Sequence, residues 1–359
     1  MTEKSVTMKA AVVKRSSESF TFEISRVQRP VPGPLDILVK LSVTGVCGTD
    51  MALASGELGP TQSILGHEGV GYVVQLGASV PDSSIKIGDR VGIAWLRDIC
   101  GICAACLHPG GETRCHEQLN SGRKIDGTFA EYALVPSRYI IRIPEHVKVP
   151  DELIAPILCG GVTAYSALKN AGGTGGQWVA ISGAGGGVGG LAIQYAKALG
   201  FQVIAIDIGS SKRRLCTASG ADHFIDAAET QDVKALVYEL TRHRGPSVVL
   251  ACATSGRAYN TALDLVAPFG TFVCVGIPPP GELLSFHPLL LLDSGARIVG
   301  SAVGSRADIA EAIDFVERGL VKPHIVLKNL EDLPEIEASF NKVVGKIVLR
   351  LQSDRKVKL

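Results

Sequence analysis

The sequence predicts a two-domain α/β protein: a β-rich, mostly antiparallel domain, then a doubly wound parallel sheet carrying helices on both faces. Three observations carry this expectation. A length of 359 residues suits two hydrophobic cores better than one. The first half holds short β-type segments at residues 10–13, 37–43, 70–75 and 90–94, broken by Gly and Pro and poor in long helical periods. From about Ala164 the rhythm changes to strand alternating with helix, the pattern of a parallel sheet.

Taken in order, Pro30, Pro32 and Pro34 mark a loop ahead of the strand at 37–43. Residues 178–182 (WVAIS) read as a buried strand leading into a glycine-rich turn. A helix follows, its apolar positions Val188, Leu191, Ala192, Tyr195, Ala196 and Leu199 spaced by three and four, and Gly200 stops it. Further strands are expected at 203–206, 223–225, 247–251 and 271–275, with helices between them. After about Gly304 a helix at 308–318 and a β-type tail at 346–351 return to the first domain. The expected domains are therefore residues 1–160 with 304–359, and residues 161–303. No internal repeat and no low-complexity tract interrupts the chain.

Hydrophobic residues make up 46% of the chain, enough for large cores. Lys plus Arg total 36 against 35 for Asp plus Glu, so no electrostatic footprint for nucleic acid or an anionic membrane is present. No apolar run approaches the roughly eighteen residues of a membrane span. The N-terminal MTEKSVTMKAAVV has neither the apolar core of a signal peptide nor the Arg-rich pattern of a transit peptide. A cytoplasmic location is expected. The terminal Val357-Lys358-Leu359 approaches the Ser-Lys-Leu peroxisomal address, but with Val for the small residue; a basic solvated tail is the plainer reading. Nine cysteines are present, and four crowd between Cys100 and Cys115. Without a secretory signal such clustering points to metal rather than to disulfides.

Three soft donors stand out. Cys47 opens a CGTD tetrapeptide, His67 lies in GHEGVG between Gly66 and Gly71, and Cys159 sits in an apolar segment. Two thiolates and an imidazole are a set that holds tetrahedral zinc with one position open, where a substrate oxygen can be polarised. Spacing alone does not pair them: a buried Cys is common, and a lone His is usually a satisfied core residue. Cys100, Cys103, Cys106 and Cys115 follow C-x2-C-x2-C-x8-C. Four thiolates close a tetrahedron with no open corner, which makes a structural site. An iron–sulfur alternative begins with a similar run, but the long last gap and the missing Pro after the fourth Cys disfavour it; disulfides are the third option. Cys216, Cys252 and Cys274 join no cluster and read as small core residues.

The glycine turn spans 183–190 and admits two registers: Gly185, Gly187 and Gly190, or Gly183, Gly186 and Gly189. The glycines let backbone approach a pyrophosphate at a helix N-terminus, and Asp207 ends the next strand eighteen residues beyond Gly189. A carboxylate there accepts from ribose hydroxyls and repels a 2′-phosphate, so NAD is expected over NADP. Lys212, Arg213 and Arg214 lie close by and weigh the other way; their plainer reading is a solvated helix start. No Ser-His-Asp or Cys-His hydrolase pattern and no glycosidase carboxylate pair stands out.

On these residues the chain resembles the zinc-containing medium-chain alcohol dehydrogenases, in their fungal branch. Gly66, His67, Glu68, Gly71, Gly77 and Val80 match that family's zinc signature. GVCGTD at 45–50 matches its first-ligand motif, and PILCGGVTAYSAL around Cys159 its third-ligand segment. The likeness runs through nearly the whole chain. It implies a GroES-like catalytic domain, with a structural zinc lobe at about 97–117, and a Rossmann cofactor domain. It assigns Cys47, His67 and Cys159 as catalytic zinc ligands, with Glu68 able to approach the metal during ligand exchange. Asp50 would orient His67; its alternative is a turn-forming Asx residue. Cys100, Cys103, Cys106 and Cys115 would hold the second zinc, in a loop one residue longer than is usual.

Thr49, by the same resemblance, starts a proton relay through the nicotinamide ribose to a His three residues on. Here that later position is Ala52, so the proton leaves by another route. The loop between Cys47 and His67 is three residues shorter than in simple ethanol enzymes and carries no Trp, leaving Trp95 as a candidate wall. A roomier pocket is expected. On the cofactor, the likeness places Gly183, Gly186, Gly187, Val188 and Gly189 at the pyrophosphate, and Asp207 with Lys212 at the adenosine ribose. It places Val275, Ile277, Ser301 and Val303 beside the nicotinamide, and Lys346 where the family's Arg meets the pyrophosphate.

The expectation is thus a zinc- and NAD-dependent oxidoreductase acting on an alcohol or carbonyl compound larger than ethanol. It would carry two zinc ions per chain and assemble as a homotetramer, with no nucleic-acid or membrane partner. Two alternatives stand beside it. One is a specialised carbonyl reductase of secondary metabolism, favoured by Ala52 and the short loop. The other is a non-catalytic zinc- and nucleotide-binding relative, which the presence of all three ligands disfavours, as it does the zinc-free quinone reductase branch.

Overall fold

The computed structural model describes residues 6–16, 19–81, 85–340 and 343–351; Val357-Lys358-Leu359 lies outside them. In chain order the strands are β1 (Thr7–Arg15), β2 (Phe20–Gln28), β3 (Asp36–Val46), β4 (Gly69–Leu76), β5 (Arg90–Ile93), β6 (Leu96–Asp98), β7 (Leu119–Asn120), β8 (Tyr132–Pro136) and β9 (Ile141–Arg142). There follow β10 (Trp178–Ser182), β11 (Gln202–Asp207), β12 (His223–Asp226), β13 (Val248–Ala251), β14 (Thr271–Cys274), β15 (Arg297–Gly300), β16 (Ile325–Asn329) and β17 (Lys346–Arg350). The chain forms two compact units: Met1–Cys159 with Ser305–Ile313 and Ile325–Leu359, and Gly160–Gly304 with Asp314–His324. Among the described residues no helix is long and apolar enough to cross a membrane.

The first unit is built on a seven-stranded sheet ordered β16-β17-β3-β4-β5-β9, with β8 also paired to β3. Its pairs are antiparallel apart from β16 with β17. β3 reads DILVKLSVTGV, an almost unbroken apolar run, and most of it is buried. Ile37, Val39 and Leu41 pack with Leu65, Phe129, Ile347 and Leu349 in one core. The register of this sheet determines where the chemistry gathers. Thr44 of β3 faces Gly69 of β4. Cys47, just past β3, and His67, just before β4, therefore emerge at one end. Val46 faces Ile347, which brings Lys346 of β17 to the same end.

The second unit is an all-parallel six-stranded sheet ordered β12-β11-β10-β13-β14-β15. The chain winds outward from β10 through β11 and β12, then returns beside β10 and winds the other way. That reversal makes the junction of β10 and β13 a topological switch point, the usual place for a dinucleotide. Ala180, Ile204, Ile206, Val249, Ala251 and Phe272 fill the core on the sheet.

One boundary differs from expectation. The return after residue 304 is interrupted, because Asp314–His324 packs with the second unit. Phe315 sets its ring 5.6 Å from Tyr165 and 5.7 Å from Tyr195, and the Lys322 backbone N–H donates to Gln194 Oε1 at 2.7 Å. Burying that aromatic side chain outweighs continuity with the neighbouring segments.

Candidate active site and metal centres

Cys47 is the N-cap of the helix Gly48–Ser55, and Asp50 stands three residues inside it. The short polar side chain of Asp50 can therefore fold back: Oδ2 accepts the Cys47 backbone N–H at 3.0 Å. Its other oxygen, Oδ1, accepts the Gly66 N–H at 3.0 Å and faces His67 Nδ1 at 2.9 Å. Asp50 is fully buried, so this carboxylate is a structural hub and not a surface turn residue. With Nδ1 committed, the imidazole offers Nε2.

Candidate ligand atoms of Cys47, His67, Glu68 and Cys159 all lie within 4.8 Å of one another. The sulfurs of Cys47 and Cys159 are 4.0 Å apart. Two thiolates on a tetrahedral zinc sit roughly 3.8 Å apart, so the donor set fits that ion in both chemistry and spacing. Thr49 Oγ1 is 3.7 Å from Cys47 Sγ, and Trp95 sets its ring edge-on to His67 with centroids 5.4 Å apart. A cleft of about 1050 Å³ elsewhere in the unit is lined by Ser42, Tyr72, Arg90, Asp151 and Arg350 and by none of these donors.

The electrostatics suit a cation. Hydrogen bonding with Cys159, aided by the charges of Lys346 and His67, holds the Cys47 thiol well below its ordinary range. The same contact, with burial, pushes the Cys159 thiol upward. Burial alone would depress His67, but the Asp50 carboxylate more than offsets it and holds the imidazole above its usual value. Burial lifts the Glu68 carboxyl to about 7 against the pull of Lys346. Metal binding would displace these protons.

The ammonium of Lys346 pairs with Glu68 Oε1, and its side chain is 7% exposed. A buried carboxylate demands a cation, and β17 delivers this one to the same end of the sheet. Glu68 Oε2 is buried with no hydrogen-bond partner, an unfilled acceptor beside the sulfurs. That pairing could not be anticipated from spacing, since Glu68 and Lys346 lie 278 residues apart.

The second cluster gathers Cys100, Cys103, Cys106 and Cys115, again with all sulfurs within 4.8 Å. Sulfur separations of 3.8 Å for Cys100–Cys106 and 3.6 Å for Cys103–Cys106 and Cys100–Cys115 match a tetrathiolate zinc. Leu96, Ile99 and Tyr139 pack around it as a small core of their own. The loop is pinned at Glu112, which accepts from Tyr139 Oη at 2.8 Å and from Arg306 Nη2 at 3.0 Å. Cys216 is buried and Cys252 half-buried, and desolvation pushes both thiols up to about 12, as for inert core residues; Cys274 is half-buried as well.

In the second unit the glycine turn follows β10 and its helix runs Gly187–Ala198 with Gly186 as N-cap. Close approach distinguishes the glycines of this turn one by one. Gly183 has φ +73°, and a Cβ on Gly189 would stand 2.2 Å from the Gly183 carbonyl oxygen. A Cβ on Gly190 would meet nothing nearer than 3.5 Å. Gly183 and Gly189 are thus required by the turn itself; Gly185 is confined too, since a Cβ there would stand 2.5 Å from Lys212 Cβ, whereas one on Gly186 would meet the Gly183 oxygen at 3.3 Å. Asp207 ends β11 and accepts from the Gly185 N–H at 2.8 Å, the Ile208 N–H at 2.8 Å and Lys212 Nζ at 2.8 Å. Arg213 lies 3.7 Å from Glu229 and over the Phe224 ring. Val275 follows β14, and its N–H is 3.1 Å from Tyr259 Oη. Ile277 is exposed; Ser301 is buried and its hydroxyl lacks a partner; Val303 holds φ +44°, a strained value for a β-branched residue. Val188, beside Gly187 in the first helical turn, is half-buried.

Two family models match the chain: an alcohol dehydrogenase GroES-like domain over residues 33–145 and a zinc-binding dehydrogenase domain over 187–318. An alcohol dehydrogenase of Geobacillus stearothermophilus is 41% identical over 97% of this chain and 100% of its own. Alcohol dehydrogenase 2 of Emericella nidulans is 38% identical over 95% and 97% respectively. The relatives thus include bacterial and fungal enzymes alike. Among solved structures, acetophenone reductase from Geotrichum candidum in complex with NAD superposes with a TM-score of 0.84 at 29% identity, covering 96% of this chain and 97% of that one.

Proposed function

This chain belongs to the zinc-containing medium-chain alcohol dehydrogenases, and from that premise we propose that it exchanges hydride between NAD(H) and an alcohol or carbonyl compound larger than ethanol. The observation that carries the reading is the convergence of Cys47, His67 and Cys159 in one buried cluster, with the imidazole held by Asp50.

In this reading Cys47, His67 and Cys159 hold a catalytic zinc, and Cys100, Cys103, Cys106 and Cys115 a structural one. When bound, zinc polarises the substrate oxygen and the nicotinamide exchanges hydride with the adjoining carbon. The chain supplies the rest. Asp50 fixes the tilt and tautomer of His67. The Thr49 hydroxyl, beside Cys47, accepts the alcohol proton and passes it on; Ala52 offers no imidazole, so the proton goes to water. Gly183, Gly186 and Gly189 admit the pyrophosphate, while Asp207 takes the ribose hydroxyls and Lys212 steadies that carboxylate. Val275, Ile277, Ser301 and Val303 serve the nicotinamide. Lys346 neutralises Glu68, leaving it able to approach the metal when ligands exchange.

A bulky carbonyl substrate is supported by the short loop after Cys47, by Trp95 as the remaining indole near the site, and by the relative named acetophenone reductase. By likeness the enzyme is a cytoplasmic homotetramer, which size-exclusion chromatography with light scattering tests. The deciding experiment is a panel of alcohols, aldehydes and ketones followed at the nicotinamide absorbance, with NAD(H) and NADP(H) side by side. Turnover with NAD(H) is expected, with aryl or long-chain carbonyls ahead of acetaldehyde. Strong activity with NADPH alone would overturn the role of Asp207. Two zinc ions per chain with no turnover of any carbonyl would revive a non-catalytic role.

A further inference from the structure

Cys159 arrives on a short segment, the helix Asp151–Ile154 followed by the 3-10 turn Ala155–Leu158. One strand grips both ends of that segment. At its start, Arg90 of β5 places Nε 2.7 Å from Asp151 Oδ1. The same guanidinium donates from Nη1 to the Val147 carbonyl at 3.0 Å and from Nη2 to the Val149 carbonyl at 2.7 Å. At its end, Leu158 fills the space left by Gly92, where a Cβ would stand 2.8 Å from a Leu158 methyl carbon. Arg90 and Gly92 are two residues apart and so share one face of the strand.

The tie extends to the other two candidate ligands. Ser42 Oγ lies within hydrogen-bonding reach of Asp151 Oδ2 and 3.0 Å from the Val70 carbonyl, donating to one at a time. Ser42 sits on β3 five residues before Cys47, and Val70 lies on β4 three residues after His67. The half-buried Asp151 carboxylate therefore meets the segments that bear Cys159 and Cys47, and the Ser42 hydroxyl it shares also faces the strand that follows His67.

We infer that Arg90, acting through Asp151, is a positioning residue that sets where the Cys159 sulfur stands relative to Cys47 and His67. This rests on the reading of Cys159 as a catalytic zinc ligand. The test uses the full chain, its zinc replaced by cobalt, in Arg90→Ala, Arg90→Lys, Gly92→Ala and Cys159→Ser forms. The readouts are the thiolate-to-cobalt charge-transfer band and, on the zinc protein, the rate of metal release to a chromogenic chelator. Arg90→Ala should release one zinc about tenfold faster, the scale of effect seen when a ligand's support is removed. Its cobalt band should fall toward that of Cys159→Ser. Arg90→Lys should lie between, since it keeps the charge and loses the fork. Gly92→Ala should move the band by displacing Leu158, and with Arg90→Lys it carries the test if Arg90→Ala fails to fold. A lowered melting temperature with band and release rate unchanged in Arg90→Lys and Gly92→Ala would overturn the inference. An unchanged band in Cys159→Ser would instead overturn the ligand reading itself.

Discussion

Asp50 Oδ1 stands 2.9 Å from His67 Nδ1, and this single contact decides which nitrogen of the imidazole can meet a metal. The same carboxylate holds the backbones of Cys47 and Gly66, so two ligands are oriented by one residue. Asp50→Asn keeps the shape but loses the charge and one acceptor. The expected outcome is a 10–100-fold loss, roughly, in affinity for the catalytic zinc. Competition against a graded series of chelators measures it; unchanged affinity would make Asp50 a helix-capping residue only.

The two cysteine clusters should part company under mutation. Cys47→Ala is expected to abolish turnover while the melting profile stays close to that of the unaltered chain. Cys103→Ala breaks a closed tetrathiolate that supports the small core of Leu96, Ile99 and Tyr139. It should lose one zinc per chain and lower the melting temperature by several degrees. Atomic absorption and scanning calorimetry on both variants read this directly; an unmoved melting point in Cys103→Ala would argue against a structural role.

Much of this was legible before the fold was known, and the reason is physical. Strands β10, β11, β13 and β14 are short, largely buried apolar runs at parallel-sheet spacing, which a sequence displays openly. β15 (Arg297–Gly300) was not foreseen, because a partly exposed edge strand of four residues has no pattern to show. β2 (Phe20–Gln28) alternates Phe20, Phe22 and Ile24, a period-two signal that the sequence does carry. The ligand sets rested on motifs and resemblance, because Cys159 meets Cys47 only through folding. What the sequence does not display are contacts made by tertiary packing: Lys346 with Glu68, Glu112 with Arg306, and Arg90 with Asp151. No local period encodes such pairs.

Asp207 is bound on three sides, by two backbone N–H groups and by Lys212. Asp207→Gly removes the carboxylate that would repel a 2′-phosphate and leaves the ammonium of Lys212 free. The ratio of kcat/KM for NADP over NAD should rise by about tenfold or more, equivalent to ~1.4 kcal/mol. Affinity for NAD should fall, because the Gly185 turn loses its acceptor. Steady-state kinetics with each cofactor test both parts; an unchanged ratio would remove Asp207 from cofactor choice.

Asp226 gives a pH dependence whose sign can be worked out. Hydrogen bonds from the Gly209 N–H, at 2.9 Å, and the Ala228 N–H hold its carboxyl below the ordinary 3.8. A group depressed in the folded state contributes stability that is present above its unfolded value and is lost as pH falls through its folded value. Asp226→Asn should therefore melt lower than the unaltered chain at neutral pH, and the gap should close below pH 3.8. A gap that persists in acid would assign the effect to shape and not to charge.

Gly189 and Gly190 are neighbours in the first turn of one helix, yet they should respond oppositely to the same substitution. A methyl group on Gly189 would be driven to 2.2 Å from the Gly183 carbonyl oxygen and 2.6 Å from Ala184 Cα, both backbone atoms that cannot swing aside. The turn must shift, at a cost of about 1–3 kcal/mol, and the N–H groups proposed to meet a pyrophosphate would shift with it. On Gly190 the nearest atom would be a Leu215 methyl carbon at 3.5 Å, an ordinary contact. There alanine gains helix propensity of about 1 kcal/mol over glycine. Gly189→Ala should lower both the melting temperature and the affinity for NADH, read by fluorescence titration. Gly190→Ala should hold or raise the first and leave the second intact. The reverse pattern would mean that the helix approaches the cofactor in the other register, with Gly185, Gly187 and Gly190 at the phosphates.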